Sequence, residues 1–201
     1  MFLRRIGSKN RIANKIIKYF PAHSCYIEPF FGAGGIFFNK PIAKYNFLND
    51  LDGDVYNCFT VLINQKNELL EFLNLMPADM TLFKYWVKNK ETDAVRKAAR
   101  FLFLSNFSLY GMQSMFRLSM ASHKKELMEN LHETYDFMIN SKAVYFSNLD
   151  FRKFINKLSF KQYRNDKKNS FIYLDPPYLQ TVNNYSAVSY THLTLPTNRE
   201  V

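Results

Sequence analysis

Residues 24–35, "SCYIEPFFGAGG", decide the fold of this chain. The first half, "SCYIEPF", is a short apolar run bounded by turn residues, a pattern typical of a buried strand. Gly32, Gly34 and Gly35 follow, and glycines after a strand let the backbone turn tightly and approach a ligand closely. A glycine-rich turn alone is weak evidence for a nucleotide ligand, but the alternation of strands and helices around it favours a parallel, nucleotide-binding α/β sheet.

The segments around this stretch alternate in type. Residues 10–20 place apolar side chains on one helical face before Pro21, and residues 36–40 begin a helix that Pro41 ends. A second strand is predicted over 44–50 and a helix over 55–65, and residues 56–140 have helical periodicity almost throughout. Strand character returns at 143–151 and 170–178. The pattern predicts an α/β sheet interrupted by a helical insertion.

Composition narrows the class of protein. With 47% hydrophobic residues, the 201-residue chain can form one globular domain, and no apolar run is long enough for a membrane span. Two cysteines, Cys25 and Cys58, are too few for a disulfide framework, which fits a cytoplasmic setting. The four histidines are not spaced as metal ligands usually are. The net charge of +10 suggests a polyanionic partner or a solvated lysine-rich surface, and charge alone does not decide between them.

Two acidic positions follow predicted strands. Asp50 ends "FLND" (47–50), where a carboxylate can accept hydrogen bonds from ribose hydroxyls, although Asn49, Asp50 and Asp52 also suit the N-cap of the next helix. A dinucleotide fingerprint would need a further glycine where Phe37 stands, which argues against a nicotinamide-dependent oxidoreductase.

The second acidic position opens "DPPY" (175–178). Pro176 and Pro177 fix φ and remove two N–H donors, so the carbonyls there are held as acceptors, and Tyr178 adds a flat face for stacking. Rigid acceptors beside an aromatic ring suit the exocyclic amine of a base; the alternative is an ordinary loop that ends a strand.

Five segments, in order, resemble the motifs of the Dam-like DNA N6-adenine methyltransferases. They are "RRIGSKNRIANKI" (4–16), "YIEPFFGAGGIFF" (26–38), "FLNDLDGDVYNCF" (47–59), "NLDF" (148–151) and "YLDPPY" (173–178). The resemblance runs from the start of the sequence to about Tyr185. It implies a Rossmann-like, S-adenosylmethionine-dependent methyltransferase sheet, interrupted where the family carries its DNA-recognition domain and incomplete at the C-terminus.

The resemblance also implies roles for individual residues. Catalysis would fall to Asp175, Pro176, Pro177 and Tyr178, and S-adenosylmethionine would contact Lys9, Glu28, Phe30, Gly32, Gly34 and Asp50. The family usually has an aromatic residue where Arg5 stands. Asp150 and Phe151 match the motif of the base pocket, although Asp150 could equally cap the helix that follows.

Double-stranded DNA would be the partner, and a monomer is compatible with the sequence. In the recognition segment, Gln113 could read an adenine and Arg117 a guanine, whereas Lys124 and Lys125 would contact phosphate. The predicted division is a catalytic domain over 1–55 and 141–186, a recognition domain over 56–140, and a foreign tail over 187–201 on a truncated enzyme. Alternatives are an inactive DNA-binding relic and an amino-methyltransferase acting on RNA or protein.

Overall fold

The structure is a computed structural model that describes residues 3–5, 7–108, 116, 121–141, 143–159 and 167–177. The described part contains four strands: β1 (Cys25–Glu28), β2 (Tyr45–Asn49), β3 (Val144–Ser147) and β4 (Ser170–Ile172). Its helices are α1 (Ala13–Ile17), α2 (Gly53–Asn64), α3 (Lys66–Leu75), α4 (Met80–Lys88), α5 (Ala94–Phe107), α6 (Ala121–Asn140) and α7 (Phe151–Lys157). None of these helices is long and apolar enough to cross a membrane.

The four strands form one parallel sheet in the order β3-β2-β1-β4. Every residue of β1 is buried, as expected for a central strand with neighbours on both sides. Because the strands are parallel, the loops after β1, β2 and β4 meet at the carboxyl edge of the sheet, where α/β proteins bind ligands. The predicted parallel sheet is confirmed.

One predicted helix is wrong in type and length. Residues 36–40 were expected to begin a helix, but only the single 3-10 turn Phe37–Asn39 forms. Lys40 is extended (φ −102°, ψ 157°), because the residue before a proline avoids the helical region, and Pro41 follows it. The helix predicted over 10–20 is likewise shortened to a 3-10 turn, Asn10–Ile12, and α1.

Helices α2 to α6 lie between β2 and β3 in sequence, in agreement with the helical periodicity of residues 56–140. They share one buried core with the sheet: Leu48 of β2 belongs to the same cluster as Phe59 of α2, Leu69 of α3 and Leu102 of α5. Among the described residues the helices therefore do not enclose a core of their own. Their assignment as a recognition domain stays a prediction about function.

Candidate active site at the carboxyl edge of the sheet

A cleft opens where β1, β2 and β4 end. Four segments contribute its lining: residues 5 and 7–9 before the first helical turn, residues 28, 30–33, 35 and 36 at and after the end of β1, residues 50–52 after β2, and residues 173 and 175–177 after β4. The sequence motifs that lie far apart along the chain thus meet at one place.

The glycine turn presents bare backbone to this cleft. Gly32 has φ +56°, and a Cβ placed there would meet no atom within 4 Å, so a ligand can approach its main chain. The Gly32 N–H donates to Oδ2 of Asp50, and the Phe31 N–H donates to the carbonyl of Asn49 at 2.9 Å. These bonds tie the turn after β1 to the end of β2.

Of the residues that the sequence offered as the N-cap of α2, the structure uses Asp52 and not Asp50. Asp52 is the N-cap of α2, since its Oδ1 accepts from the Asp54 N–H at 2.9 Å. Asp50 instead accepts from the N–H groups of Gly32 and, at 2.8 Å, of Asp52. Burial raises the pKa of Asp50, while these two donors and the charge of Arg5 oppose the rise.

Asp52 also holds Arg5 at the mouth of the same cleft. Their side chains form an ion pair at 2.8 Å, and both are largely buried. The guanidinium of Arg5 lies 5.7 Å from the ring centre of Phe101 in α5. Arg5 is therefore fixed by charge on one side and by an aromatic ring on the other.

Glu28 is a buried carboxylate at the end of β1. The Tyr26 hydroxyl donates to its Oε2 at 2.9 Å, and the side chain is only 2% exposed. Burial raises the pKa of Glu28 to about 8, while the Tyr26 hydrogen bond and the Lys40 charge pull it down. A perturbed acid beside a glycine turn is the kind of group found in functional sites.

Lys9 connects lining segments of the cleft that lie far apart along the chain. Its ammonium lies 2.7 Å from Oδ2 of Asp175 and donates to the Gly7 carbonyl at 3.2 Å. The backbone beside it packs on the glycine turn, because a Cβ on Gly35 would lie 2.8 Å from the Asn10 nitrogen. Lys9 thus links the turn after β1 to the Asp-Pro-Pro segment after β4.

The sequence that carries the glycine turn, the acid after β2 and the Asp-Pro-Pro segment after β4 was compared with known protein families. A sequence profile of the D12 class N6 adenine-specific DNA methyltransferases matches residues 6–201. The chain belongs to this family.

Curated relatives of this methyltransferase are named DNA adenine methylase or Type II methyltransferase. It is 28% identical to a DNA adenine methylase of Haemophilus influenzae, over 92% of this chain and 66% of the relative. It is 25% identical to a DNA adenine methylase of Salmonella typhi, over 92% of this chain and 68% of the relative. It is 23% identical to a Type II methyltransferase of Lactococcus lactis subsp. cremoris, over 95% of this chain and 70% of the relative. The chain spans about two thirds of the length of these relatives.

Phe151, Asp150 and Gly34 were also predicted to belong to the site, and the structure shows what each of them contacts. Phe151 packs on the cleft residue Phe30, with ring centres 5.3 Å apart. Asp150 is the N-cap of α7, with Oδ1 accepting from the Arg152 N–H at 3.0 Å, which is the alternative role the sequence left open. A Cβ on Gly34 would meet the rings of Phe31 and Phe38, so this glycine serves core packing in the described structure.

The predicted DNA contacts are only partly described. Gln113, Arg117 and Tyr178 lie outside the described residues, as does the predicted foreign tail, 187–201. Lys124 donates to the carbonyls of Asn74 and Met76 and so closes the end of α3. Lys125 is exposed and lies 3.9 Å from Glu129, one turn further along α6.

Several residues that contribute to the cleft were not identified from the sequence. Ser8, Leu51 and Tyr173 line the cleft, and the pairing of Tyr26 with Glu28 was not foreseen. The period of two in a strand places Tyr26 and Glu28 on one face, so that signal was present in the sequence. Within the described residues no group of three or more His, Cys, Asp or Glu side chains could hold a metal ion.

We expect Gly35→Ala to destabilise the protein by about 1–3 kcal/mol, because the new methyl group would press on backbone and force the segment of Lys9 and Asn10 away from the turn. Gly53→Ala is the matched control, since the nearest atom to its new Cβ, Oδ1 of Asn148, is 3.9 Å away and alanine favours the start of α2. Thermal melts compare the two variants. A Gly35→Ala protein as stable as the control would contradict the close packing of the two segments.

Proposed function

We propose that this methyltransferase transfers a methyl group from S-adenosylmethionine to N6 of an adenine that has been flipped out of duplex DNA. The observation that carries the proposal is the single cleft in which the glycine turn and Asp50 meet Asp175, Pro176 and Pro177. Family membership supports N6 of adenine in DNA as the acceptor. The cofactor and the flipped base are inferred from the chemistry of the cleft.

The cleft fits S-adenosylmethionine in shape and charge. The bare main chain of Gly32 leaves room beside the turn, and Asp50 keeps lone pairs beyond its two backbone bonds for ribose hydroxyls. Four carboxyl side chains line the cleft against two basic ones, an excess that favours a cationic ligand: Glu28, Asp50, Asp52 and Asp175 against Arg5 and Lys9. When bound, S-adenosylmethionine supplies an electrophilic methyl group on a positively charged sulfur.

Asp175 and Pro176 act on the base. The N6 lone pair of adenine is delocalised into the ring, so the amine is a weak nucleophile. The Asp175 carboxylate and the Pro176 carbonyl accept hydrogen bonds from its two N–H groups, which favours a pyramidal nitrogen with its lone pair directed at the methyl group. As the N–C bond forms, the bond between sulfur and the methyl group breaks, and N6 then loses one proton to solvent. Lys9, 2.7 Å from Asp175, holds this carboxylate in position at the cleft. Catalysis then comes from positioning and fixed charges.

Base flipping follows from the position of N6. In a duplex this atom is paired and stacked, so the adenine must leave the helix before two protein acceptors can reach it. Tyr178 would stack on the flipped base, with Phe151 and Phe30 forming an aromatic wall nearby. Asp150 would contribute to this pocket through its position next to Phe151.

DNA recognition falls to the helical segment between β2 and β3. Gln113 and Arg117 would read base edges, and Lys125, which is exposed, would contact phosphate. Lys124 already donates to two carbonyl groups and would reach phosphate only by leaving them. The recognition sequence itself depends on residues outside the described ranges.

We expect DNA binding to weaken steeply with salt. The chain carries a net charge of +10, and each lysine or arginine that contacts a phosphate releases a counterion. Five to six such contacts would lower the affinity by roughly a thousandfold between 50 and 200 mM salt. Fluorescence anisotropy with a labelled duplex measures the slope. Binding that does not change with salt would show that the positive charge serves another purpose.

Isothermal titration calorimetry with S-adenosylmethionine and with NAD tests the proposed cofactor. Binding of the former without the latter is expected, because the turn has Phe37 where a dinucleotide fingerprint needs glycine. Binding of NAD alone would overturn the proposal in favour of a nicotinamide-dependent enzyme.

A further inference from the structure

Two buried polar side chains lie behind the cleft, and the scheme above gives them no role. Tyr26 is fully buried and Lys40 is 5% exposed. The Lys40 ammonium lies 4.2 Å from the ring centre of Tyr26 and donates to the Pro41 carbonyl at 2.8 Å. Burying an ammonium group costs free energy unless it is compensated, so its position beside this tyrosine needs an explanation.

The two side chains form a chain of contacts that ends at the cleft. Lys40 lies against the face of the Tyr26 ring, and the Tyr26 hydroxyl donates to Oε2 of Glu28. A cation over the ring draws electron density from the phenol, which makes its hydroxyl a stronger donor. Burial and the neighbouring carboxylate raise the pKa of Tyr26, so the hydroxyl keeps its proton and remains a donor. Glu28 lines the cleft, so a change in its charge or orientation alters the place where the ligand binds.

We propose that Tyr26 and Lys40 are positioning residues for the methyl donor: together they orient the Glu28 side chain in the cleft and favour its ionised form, which pairs with the α-ammonium group of S-adenosylmethionine. This inference rests on the proposed function. Glu28 is the group that touches the ligand, whereas Tyr26 and Lys40 act through it. The assignment explains why a lysine is buried over an aromatic ring next to a buried acid.

The charges around Glu28 set the direction of the pH effect. Its burial and the carboxylates of Asp175 and Asp50 raise its pKa, and Tyr26 and Lys40 lower it; Lys9 also lines the cleft, paired with Asp175. A cation binds the ionised form of Glu28, so affinity falls as the pH drops below the pKa of Glu28, about 8. Removing either support raises that pKa and extends the loss of affinity to higher pH.

Calorimetric titration of S-adenosylmethionine at pH 7 and pH 9 tests the proposal on the wild type, Tyr26→Phe and Lys40→Met. Losing one hydrogen bond to the charged form raises the proton affinity of Glu28 about tenfold. Tyr26→Phe should therefore bind about tenfold more weakly than the wild type at pH 7 but only about twofold more weakly at pH 9. Lys40→Met should also bind more weakly at pH 7. At pH 9 it should match the wild type, because Lys40, whose pKa burial lowers to about 8, has then lost its charge.

Tyr56→Phe is the matched control, since this tyrosine of α2 packs on Phe146 and makes no contact with Glu28; its affinity should equal that of the wild type at both pH values. Variants that bind as the wild type does at pH 7, or whose deficit is the same at both pH values, would overturn the inference. Wild-type protein that does not bind S-adenosylmethionine at all would overturn the proposed function as well. Should Tyr26→Phe fail to fold, Lys40→Met carries the same test, because methionine is similar in size and lacks the charge, although it also lacks the donor to the Pro41 carbonyl.

Discussion

Asp175→Ala is expected to lower the rate of methyl transfer by about 10²–10³ while leaving the binding of S-adenosylmethionine almost unchanged. The substitution removes the acceptor that holds the N6 hydrogens of adenine, and preorganised groups of this kind contribute about 10²–10³ in rate. The cofactor is expected mainly on the glycine turn and Asp50, which do not bond to Asp175 in the described structure. Lys9, which pairs with Asp175, is the expected cofactor contact that the substitution would disturb, so a small change in affinity is expected. Transfer is measured with methyl-labelled S-adenosylmethionine on duplex DNA, and cofactor binding by calorimetry.

Asp79→Ala provides a matched control for this variant. Asp79 is an exposed N-cap, whose Oδ1 accepts from the Leu82 N–H at 2.8 Å at the start of α4. Its loss should lower stability by about 1 kcal/mol and leave transfer intact. An Asp175→Ala protein that loses cofactor binding and transfer to the same extent would contradict the assignment of Asp175 to the base.

Asp50→Ala, unlike Asp175→Ala, should strongly lower the affinity for S-adenosylmethionine. The carboxylate holds the Gly32 and Asp52 N–H groups and is expected to bond the ribose. Removing a charged hydrogen-bond acceptor costs about 1.5–3 kcal/mol, which corresponds to roughly 10- to 150-fold in Kd. Calorimetry measures the loss directly, and thermal melts separate it from any loosening of the turn.

Asp54→Ala is the control for this second variant, since the Asp54 side chain pairs with Lys97 at 3.2 Å and does not line the cleft. It should bind S-adenosylmethionine as the wild type does. Unchanged affinity of Asp50→Ala would contradict the ribose assignment and would shift the cofactor away from the end of β2.

The sequence predicted the parts of the fold that depend on local pattern. The apolar run before the glycines forms β1, and the acid of "FLND" lies at the end of β2, because strand burial and turn chemistry act over a few residues. The helix expected over 36–40 failed for an equally local reason: the proline at position 41 keeps Lys40 extended, which leaves one 3-10 turn.

The contacts that assemble the site could not be predicted in the same way. Asp50 and Asp52 were both suited to cap α2, and only the tertiary contact of Asp50 with Gly32 separates their roles. The pairing of Lys9 with Asp175 joins opposite ends of the chain, and the stacking of Lys40 on Tyr26 depends on how the segment after the 3-10 turn returns to the sheet. No periodicity in the sequence encodes either contact.

The measurement that tests the central claim most directly is methyl transfer to duplex DNA, followed by nucleoside analysis of the product. Incubation of the protein with S-adenosylmethionine and a duplex of mixed sequence should yield N6-methyladenine as the methylated base, and Asp175→Ala should form it about 10²–10³ times more slowly. Methylation of an RNA or protein substrate in its place, or a wild-type protein that binds S-adenosylmethionine and DNA yet produces no N6-methyladenine, would contradict the account.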